Sequence, residues 1–218
     1  MRFSFAKHSF GFDNHISKSI ISYKTLSTMI TTIAGFFIQD NTIVYDLGCS
    51  TGKNLRKIKK ASHAKNVSYI GIDNETAFCS HWEDNDIEFK IEDVRKLEFG
   101  TDVSLAVSMF TLQFLPTADR VTVLKNIYDS LIPNGALILC EKTYSSDSML
   151  QEVFTFANYD YKAKFFRYDD IMLKEKELRA SMNIRSWEDI LQEIEEIGFK
   201  KYEVFWKAYN FVGVILVK

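Results

Sequence analysis

Two hydrophobic rhythms alternate along this chain. Short runs of β-branched and aromatic residues, Ile43 to Tyr45, Val67 to Ile72, Ile87 to Ile91, Val103 to Phe110 and Ala136 to Cys140, read as strands buried on both faces. Between them lie helical patterns. From Tyr23 to Phe37, apolar residues at Leu26, Met29, Ile30, Ile33, Ala34 and Phe37 recur at three-and-four spacing, which predicts an amphipathic helix beside the first strand. Lys53 to Lys60 and Ala118 to Leu131 read as two more helices, and Pro133-Asn134-Gly135 as a turn. Strand and helix thus alternate five times, the signature of a parallel, doubly wound α/β sheet. A helix from Trp187 to Ile197, stopped by Gly198, precedes strands Tyr202 to Trp206 and Phe211 to Val217, whose short connection makes them antiparallel. The expectation is one domain over residues 1–218: seven strands, mostly parallel, closed by a C-terminal antiparallel hairpin.

Two segments break the rhythm. Residues 1–22 scatter Phe3, Phe5, Phe10 and Phe12 without sustained periodicity, so an irregular arm is expected, either lidding a site or pinned to the core. Residues 143–186 are helical, charged and aromatic, with Tyr159, Tyr161, Phe165, Phe166 and Tyr168 among Lys162, Lys164 and Arg167. This reads as a substrate-facing insertion. Its aromatic and basic part suits a nucleotide acceptor, a homodimer contact or a lid equally well.

Composition narrows the choices. The chain has 218 residues, 46% hydrophobic and 26% charged, enough for one well-buried core. A net charge of −2 gives no global basic field, so a nucleic-acid acceptor such as tRNA would need a local patch. The basic run Lys53, Arg56, Lys57, Lys59 and Lys60 is most simply a solvated helix face. Cys49, Cys79 and Cys140 are odd in number and widely spaced, which argues against a disulfide framework and fits a reducing cytoplasm. No apolar run reaches membrane-spanning length, and neither a membrane nor a metal is expected; His8, His15, His63 and His81 lack ligand spacing.

The chemistry concentrates after the first strand, in Asp46-Leu47-Gly48-Cys49-Ser50-Thr51-Gly52. A phosphate-binding loop would need a hydroxyl where Asn54 stands, and a dinucleotide loop a different glycine spacing without the leading acid. A carboxylate at the strand end repels pyrophosphate but suits an ammonium, such as the amino-acid end of S-adenosylmethionine (SAM). Asp73 follows 27 residues later at the tip of the second strand, where such folds hydrogen-bond ribose hydroxyls. After the third strand, Asp93 is placed to accept from an adenine amino group and Val94 to wall the base. Glu141, at the end of the fifth strand, is a candidate base or acceptor-orienting group, or an ion-pair partner of Lys142.

Val44-Tyr45-Asp46-Leu47-Gly48-Cys49-Ser50, Ile72-Asp73-Asn74, Phe110-Thr111-Leu112-Gln113-Phe114-Leu115, Pro133-Asn134-Gly135-Ala136-Leu137 with Glu141-Lys142, and Tyr209-Asn210-Phe211 resemble the carboxy-S-adenosylmethionine synthases, of the class I SAM methyltransferase fold. The likeness runs almost end to end, including Phe12-Asp13 and Ser19-Ile20 before Tyr23. It implies a Rossmann-like fold and a cofactor site of Asp46, Gly48, Cys49, Ser50, Asp73, Asn74, Asp93 and Val94, with Tyr23 closing over it and Met109 where the family has asparagine. It also implies conversion of SAM and prephenate to carboxy-SAM, the donor for wobble-uridine modification in tRNA.

The family's arginine for the donor's extra carboxylate falls in a region that here reads Lys174-Glu175-Lys176-Glu177-Leu178-Arg179. A carboxylate from Glu175 or Glu177 at that position would repel another, which favours SAM over carboxy-SAM as donor; Arg179, one turn from Glu175, is the substitute anchor. The leading expectation is therefore a SAM-dependent methyltransferase acting on a small-molecule or nucleic-acid acceptor. The alternatives are a carboxy-SAM synthase and a catalytically silent SAM-fold binding protein. Methyl transfer needs chiefly the alignment of donor and acceptor in a dry pocket, so no catalytic residue is assigned.

Overall fold

A computed structural model describes residues 10–218; Phe3, Phe5 and His8 lie outside them. The elements are α1 (Phe12–Ser19), α2 (Tyr23–Ala34), β1 (Ile43–Leu47), α3 (Lys53–Ala61), β2 (Ser68–Asp73), β3 (Glu88–Ile91), β4 (Val103–Met109), α4 (Thr117–Ser130), β5 (Leu131–Tyr144), α5 (Ser148–Ala163), α6 (Tyr168–Arg179), β6 (Arg185–Ser186), α7 (Trp187–Ile197), β7 (Lys201–Ala208) and β8 (Phe211–Val217). Seven strands run in the order β3-β2-β1-β4-β5-β8-β7, and the two-residue β6 adds an eighth beside β5. The first five are parallel, while β8 pairs antiparallel with both β5 and β7.

Three boundaries differ from the sequence pattern for physical reasons. The described part of the arm is helical: α1 has Asp13 in its first turn and Lys18 in its last, the arrangement a helix dipole favours. Strand β1 continues through Asp46 because its ladder with β2 and β4 runs to Leu47, overriding aspartate's poor strand propensity. Pro133-Asn134-Gly135 falls inside β5, where the register against β4 shifts between Val103 and Leu105, so the expected turn is a bulge.

Helices cover both faces of the sheet. Leu26, Ile30, Leu55 and Ile58 of α2 and α3 pack on Val44, Leu105, Val107 and Ile138. On the other face Leu124, Ile127, Ile190 and Ile194 of α4 and α7 pack on Tyr45, Leu47, Leu137 and Leu139. A capping box between Ser186 and Asp189 starts α7, and Gly198 at φ 128° stops it. The helix after β1 goes to one face and the helix after β4 to the other. A crevice must therefore open between these neighbouring strands at their carboxyl ends.

Candidate donor and acceptor site

A cavity of about 390 Å³ occupies that crevice. It brings together all ten residues expected around a cofactor: Tyr23, Asp46, Gly48, Cys49, Ser50, Asp73, Asn74, Asp93, Val94 and Met109. Glu141 and Arg179 are not in its wall.

The loop after β1 is held by the neighbouring strand. The amides of Gly48 and Cys49 both donate to the Ile72 carbonyl, at 2.7 and 3.0 Å. Gly48 has φ 78°, and a Cβ there would lie 2.0 Å from Thr111 Oγ1, so only glycine fits. Asp73 accepts from the amides of Ser50 and Glu75, each at 2.9 Å, which aims its carboxylate into the cavity mouth. Asp46 is 3% exposed, and burial, with Asp73 close by, pushes its carboxyl up to about 7. Burial raises Asp73 as well, against the pull of those two amides. Two crowded carboxylates in a protein cavity suit a cationic ligand that hydrogen-bonds to both. Burial, then Asp46 and Asp73, push the Cys49 thiol up, so it is an inert wall rather than a nucleophile.

The remaining residues expected around the cofactor are held more indirectly. Asn54 donates to the Tyr23 hydroxyl and to Met109 Sδ, each at 3.2 Å, tying α2, α3 and the end of β4 together. Arg95 forks onto Asp93 and lowers its carboxyl, so this acid is already engaged by the chain. These residues fit SAM: two acids for its ammonium and ribose, an apolar wall at Val94, and a glycine loop that allows close approach. Replacing Asp73 with alanine is expected to weaken SAM binding by about 1 to 3 kcal/mol through lost charged hydrogen bonds. Calorimetric titration checks it, and unchanged affinity would remove Asp73 from the site.

The far end of the cavity departs from the sequence-based reading. Glu175 lies in the wall but faces no open space as a bare anion: Lys142 Nζ sits 3.1 Å and Lys162 Nζ 2.6 Å from its two oxygens. Burial works to raise the Glu175 carboxyl, but the two ammoniums outweigh it and hold it at about 2. Lys174 lines the same end in hydrogen-bond contact with His15 of α1, and burial lowers it to about 8. Two lysines thus hold one glutamate and a third lines the same end, which leaves these four side chains with an excess of positive charge. Arg179, the expected anchor, is exposed at the end of α6.

Glu141 also lies elsewhere. Its carboxylate is buried in hydrogen-bonded contact with Arg120, which binds Glu193 at 2.7 Å, while Arg185 holds Glu193 at 2.6 Å. The partner is Arg120 and not Lys142, so the residue clamps β5 to α4 and α7 rather than serving the cavity. Lys174 and Gln113 are cavity residues to which the sequence assigned no role, while Lys142 was expected only as an ion-pair partner of Glu141 and Lys162 only as part of the aromatic and basic segment. Gln113 accepts the Lys142 amide at 2.8 Å and shares a segment with the Phe-Thr-Leu-Gln motif, which was the available signal for it.

A family profile described as a methyltransferase domain matches residues 44–135. The chain is 35% identical over 213 residues to a carboxy-S-adenosyl-L-methionine synthase of Staphylococcus epidermidis, covering 95% of this chain and 92% of that one. It is 30% identical over 216 residues to the synthase of Haemophilus ducreyi, covering 95% and 88%. In structure it superposes on a SAM-dependent methyltransferase of Thermotoga maritima with TM-score 0.63 at 14% identity, covering 98% and 97% of the two chains, a likeness of fold alone.

Proposed function

The chain belongs to the carboxy-S-adenosyl-L-methionine synthase family and is a SAM-dependent transferase, and from that premise we propose that it carboxylates SAM using an acidic co-substrate. The observation that carries this is the lysine chamber beside the donor site. An ordinary methyl acceptor gives no reason to gather Lys142, Lys162 and Lys174 at the end of the cavity with a single glutamate, whereas a carboxylate-bearing co-substrate compensates the excess charge. The sulfonium of SAM acidifies its methyl group, which gives up a proton and forms a C–C bond to the carboxyl carbon. With prephenate as co-substrate that carboxyl leaves by C–C cleavage as the ring aromatises and expels its hydroxyl, so proton and hydroxide depart as water and phenylpyruvate remains. Asp46 holds the ammonium, Asp73 the ribose, and Val94 the base; Gly48, Cys49, Ser50, Asn74, Asp93, Tyr23 and Met109 complete the wall. Lys142, Lys162 and Lys174 orient the carboxylates of donor product and co-substrate. Residues 1–218 act as one domain in which 143–186 carry the co-substrate side. A role in tRNA modification follows through the product, and the free thiols of Cys49, Cys79 and Cys140 suit a reducing cytoplasm. Among the described residues no helix is long and apolar enough to cross a membrane.

The test is to incubate the protein with SAM, with and without prephenate, and to follow the products by mass spectrometry. The expected result is a carboxymethyl sulfonium formed only when both are present. Lys142→Met should raise KM for prephenate by roughly 10- to 100-fold, the worth of a buried charge pair, and leave SAM affinity near wild type. Turnover of SAM into a methylated acceptor without any acid dependence would instead make the protein a methyltransferase.

A further inference from the structure

One wall of the donor cavity is ordered from outside it. Tyr23, Asn54 and Met109 line the cavity, and behind Asn54 stand two residues that do not, the buried Ser27 of α2 and the exposed Lys57 of α3. Lys57 Nζ donates to Ser27 Oγ at 2.9 Å, and Ser27 Oγ donates to Asn54 Oδ1 at 2.7 Å. Asn54 Nδ2 then donates at 3.2 Å to both the Tyr23 hydroxyl and Met109 Sδ.

This relay can run in only one direction. An ammonium only donates and a thioether only accepts, so Lys57 at one end and Met109 at the other fix every hydrogen between them. Ser27, already accepting from Lys57, gives its own hydrogen to Asn54 Oδ1, and the amide nitrogen is thereby turned to Tyr23. The Tyr23 oxygen accepts, so its own hydrogen points elsewhere. Among the described residues that hydrogen finds no acceptor. Burial raises the Tyr23 phenol above its usual range, against the pull of Asn54, so the hydroxyl keeps its proton.

A ligand must therefore supply the acceptor. Asp46 and Asp13 also push the Tyr23 phenol up, but Asp13 is engaged by Thr51 Oγ1 at 3.1 Å and Lys53 Nζ at 3.6 Å. That leaves Asp46 for the ammonium of SAM, which shares a carbon with the α-carboxylate and so brings that carboxylate within reach of Tyr23. We propose that Asn54, held by Ser27 and Lys57, is a positioning residue of the donor site: it keeps Tyr23 a hydrogen-bond donor and makes the site select a sulfonium that bears its α-carboxylate. A donor lacking that group leaves the Tyr23 hydrogen unmet in the cavity wall, which disfavours it. The inference rests on the ammonium site assigned to Asp46 above.

Calorimetric titration of the full chain with SAM and with decarboxylated SAM tests it, because the two share ammonium, sulfonium and nucleoside. The wild type is expected to prefer SAM by roughly 10- to 100-fold, as a hydrogen bond to a charged group gives. Tyr23→Phe should erase most of that preference by weakening SAM alone. Asn54→Leu and Ser27→Ala should each lower it at least about threefold, and Tyr23→Phe/Asn54→Leu should prefer SAM no less than Tyr23→Phe does, since Asn54 acts through that hydroxyl. A merely structural Asn54 would weaken both ligands equally and leave the ratio where it was. A ratio unchanged in Asn54→Leu and Ser27→Ala, a double variant whose losses add, or a wild type that binds both ligands equally would each overturn the inference and leave Asp46 in place. A wild type that binds neither ligand would overturn the donor site together with it.

Discussion

Asp46→Asn is expected to weaken SAM binding at about pH 8 by roughly 100-fold, about 3 kcal/mol, as removal of one partner from a buried charge pair does. The larger signature lies in the pH profile. In the ligand-free protein the Asp46 carboxyl titrates near 7, raised by burial and by Asp73. An ammonium ligand needs the carboxylate, so binding below that pH must expel a proton. Affinity should therefore climb about tenfold per pH unit up to about 7 and level off above it. The asparagine variant should show a flat, low profile.

Stability runs the opposite way without ligand. The folded-state carboxyl lies above its unfolded value, so proton binding favours the fold, and stability falls as pH rises from about 4 through about 7. Calorimetric titration across about pH 5.5 to 8.5 measures the affinity, and thermal melting with and without SAM measures the stability. A wild-type affinity that does not change with pH would remove Asp46 as the ammonium partner.

The parallel sheet and its glycine loop were legible because they depend on local runs. Val44, Leu105 and Ile138 are β-branched or aliphatic at the positions a doubly covered sheet needs, and Asp46, Gly48 and Asp73 mark strand tips that topology brings side by side. Helix α1 was not legible, since Phe12 and Ile16 make one pair at helical spacing inside an eight-residue helix, too little to set a period. The bulge in β5 was hidden for a different reason. Pro133, Asn134 and Gly135 have turn chemistry, and only pairing with β4 and β8 draws them into the strand.

The lysine chamber could not be read because its charges come from distant points. Glu175 meets a lysine 33 residues away on β5 and another 13 residues away on α5. Seen alone, an acid in a position expected to be basic implies repulsion. Seen between two ammoniums, it orders them and leaves the chamber positive, with Lys174 adding to it. A sign inferred from one residue was reversed by its neighbours, and that reversal is what supports the acidic co-substrate proposed above.

Arg120→Met should be the most destabilising of these substitutions, costing about 3 to 5 kcal/mol, because it strands a carboxylate in the core. Arg120 is 1% exposed, Glu141 3% and Glu193 5%; Glu193 keeps Arg185, but Glu141 loses its side-chain partner. Burial already raises the Glu141 carboxyl in the presence of the guanidinium, and without it protonation becomes easier still. The deficit relative to wild type should therefore be largest at high pH and shrink on acidification, and urea unfolding at about pH 8 and about pH 5.5 should show this order. Adding Glu141→Gln should recover part of the loss, since a neutral amide has no charge to strand. The same double variant tests the structural role of Glu141 against a catalytic one. A clamp between β5, α4 and α7 predicts that the refolded protein turns over at near wild-type kcat, whereas a base would leave it folded and inactive.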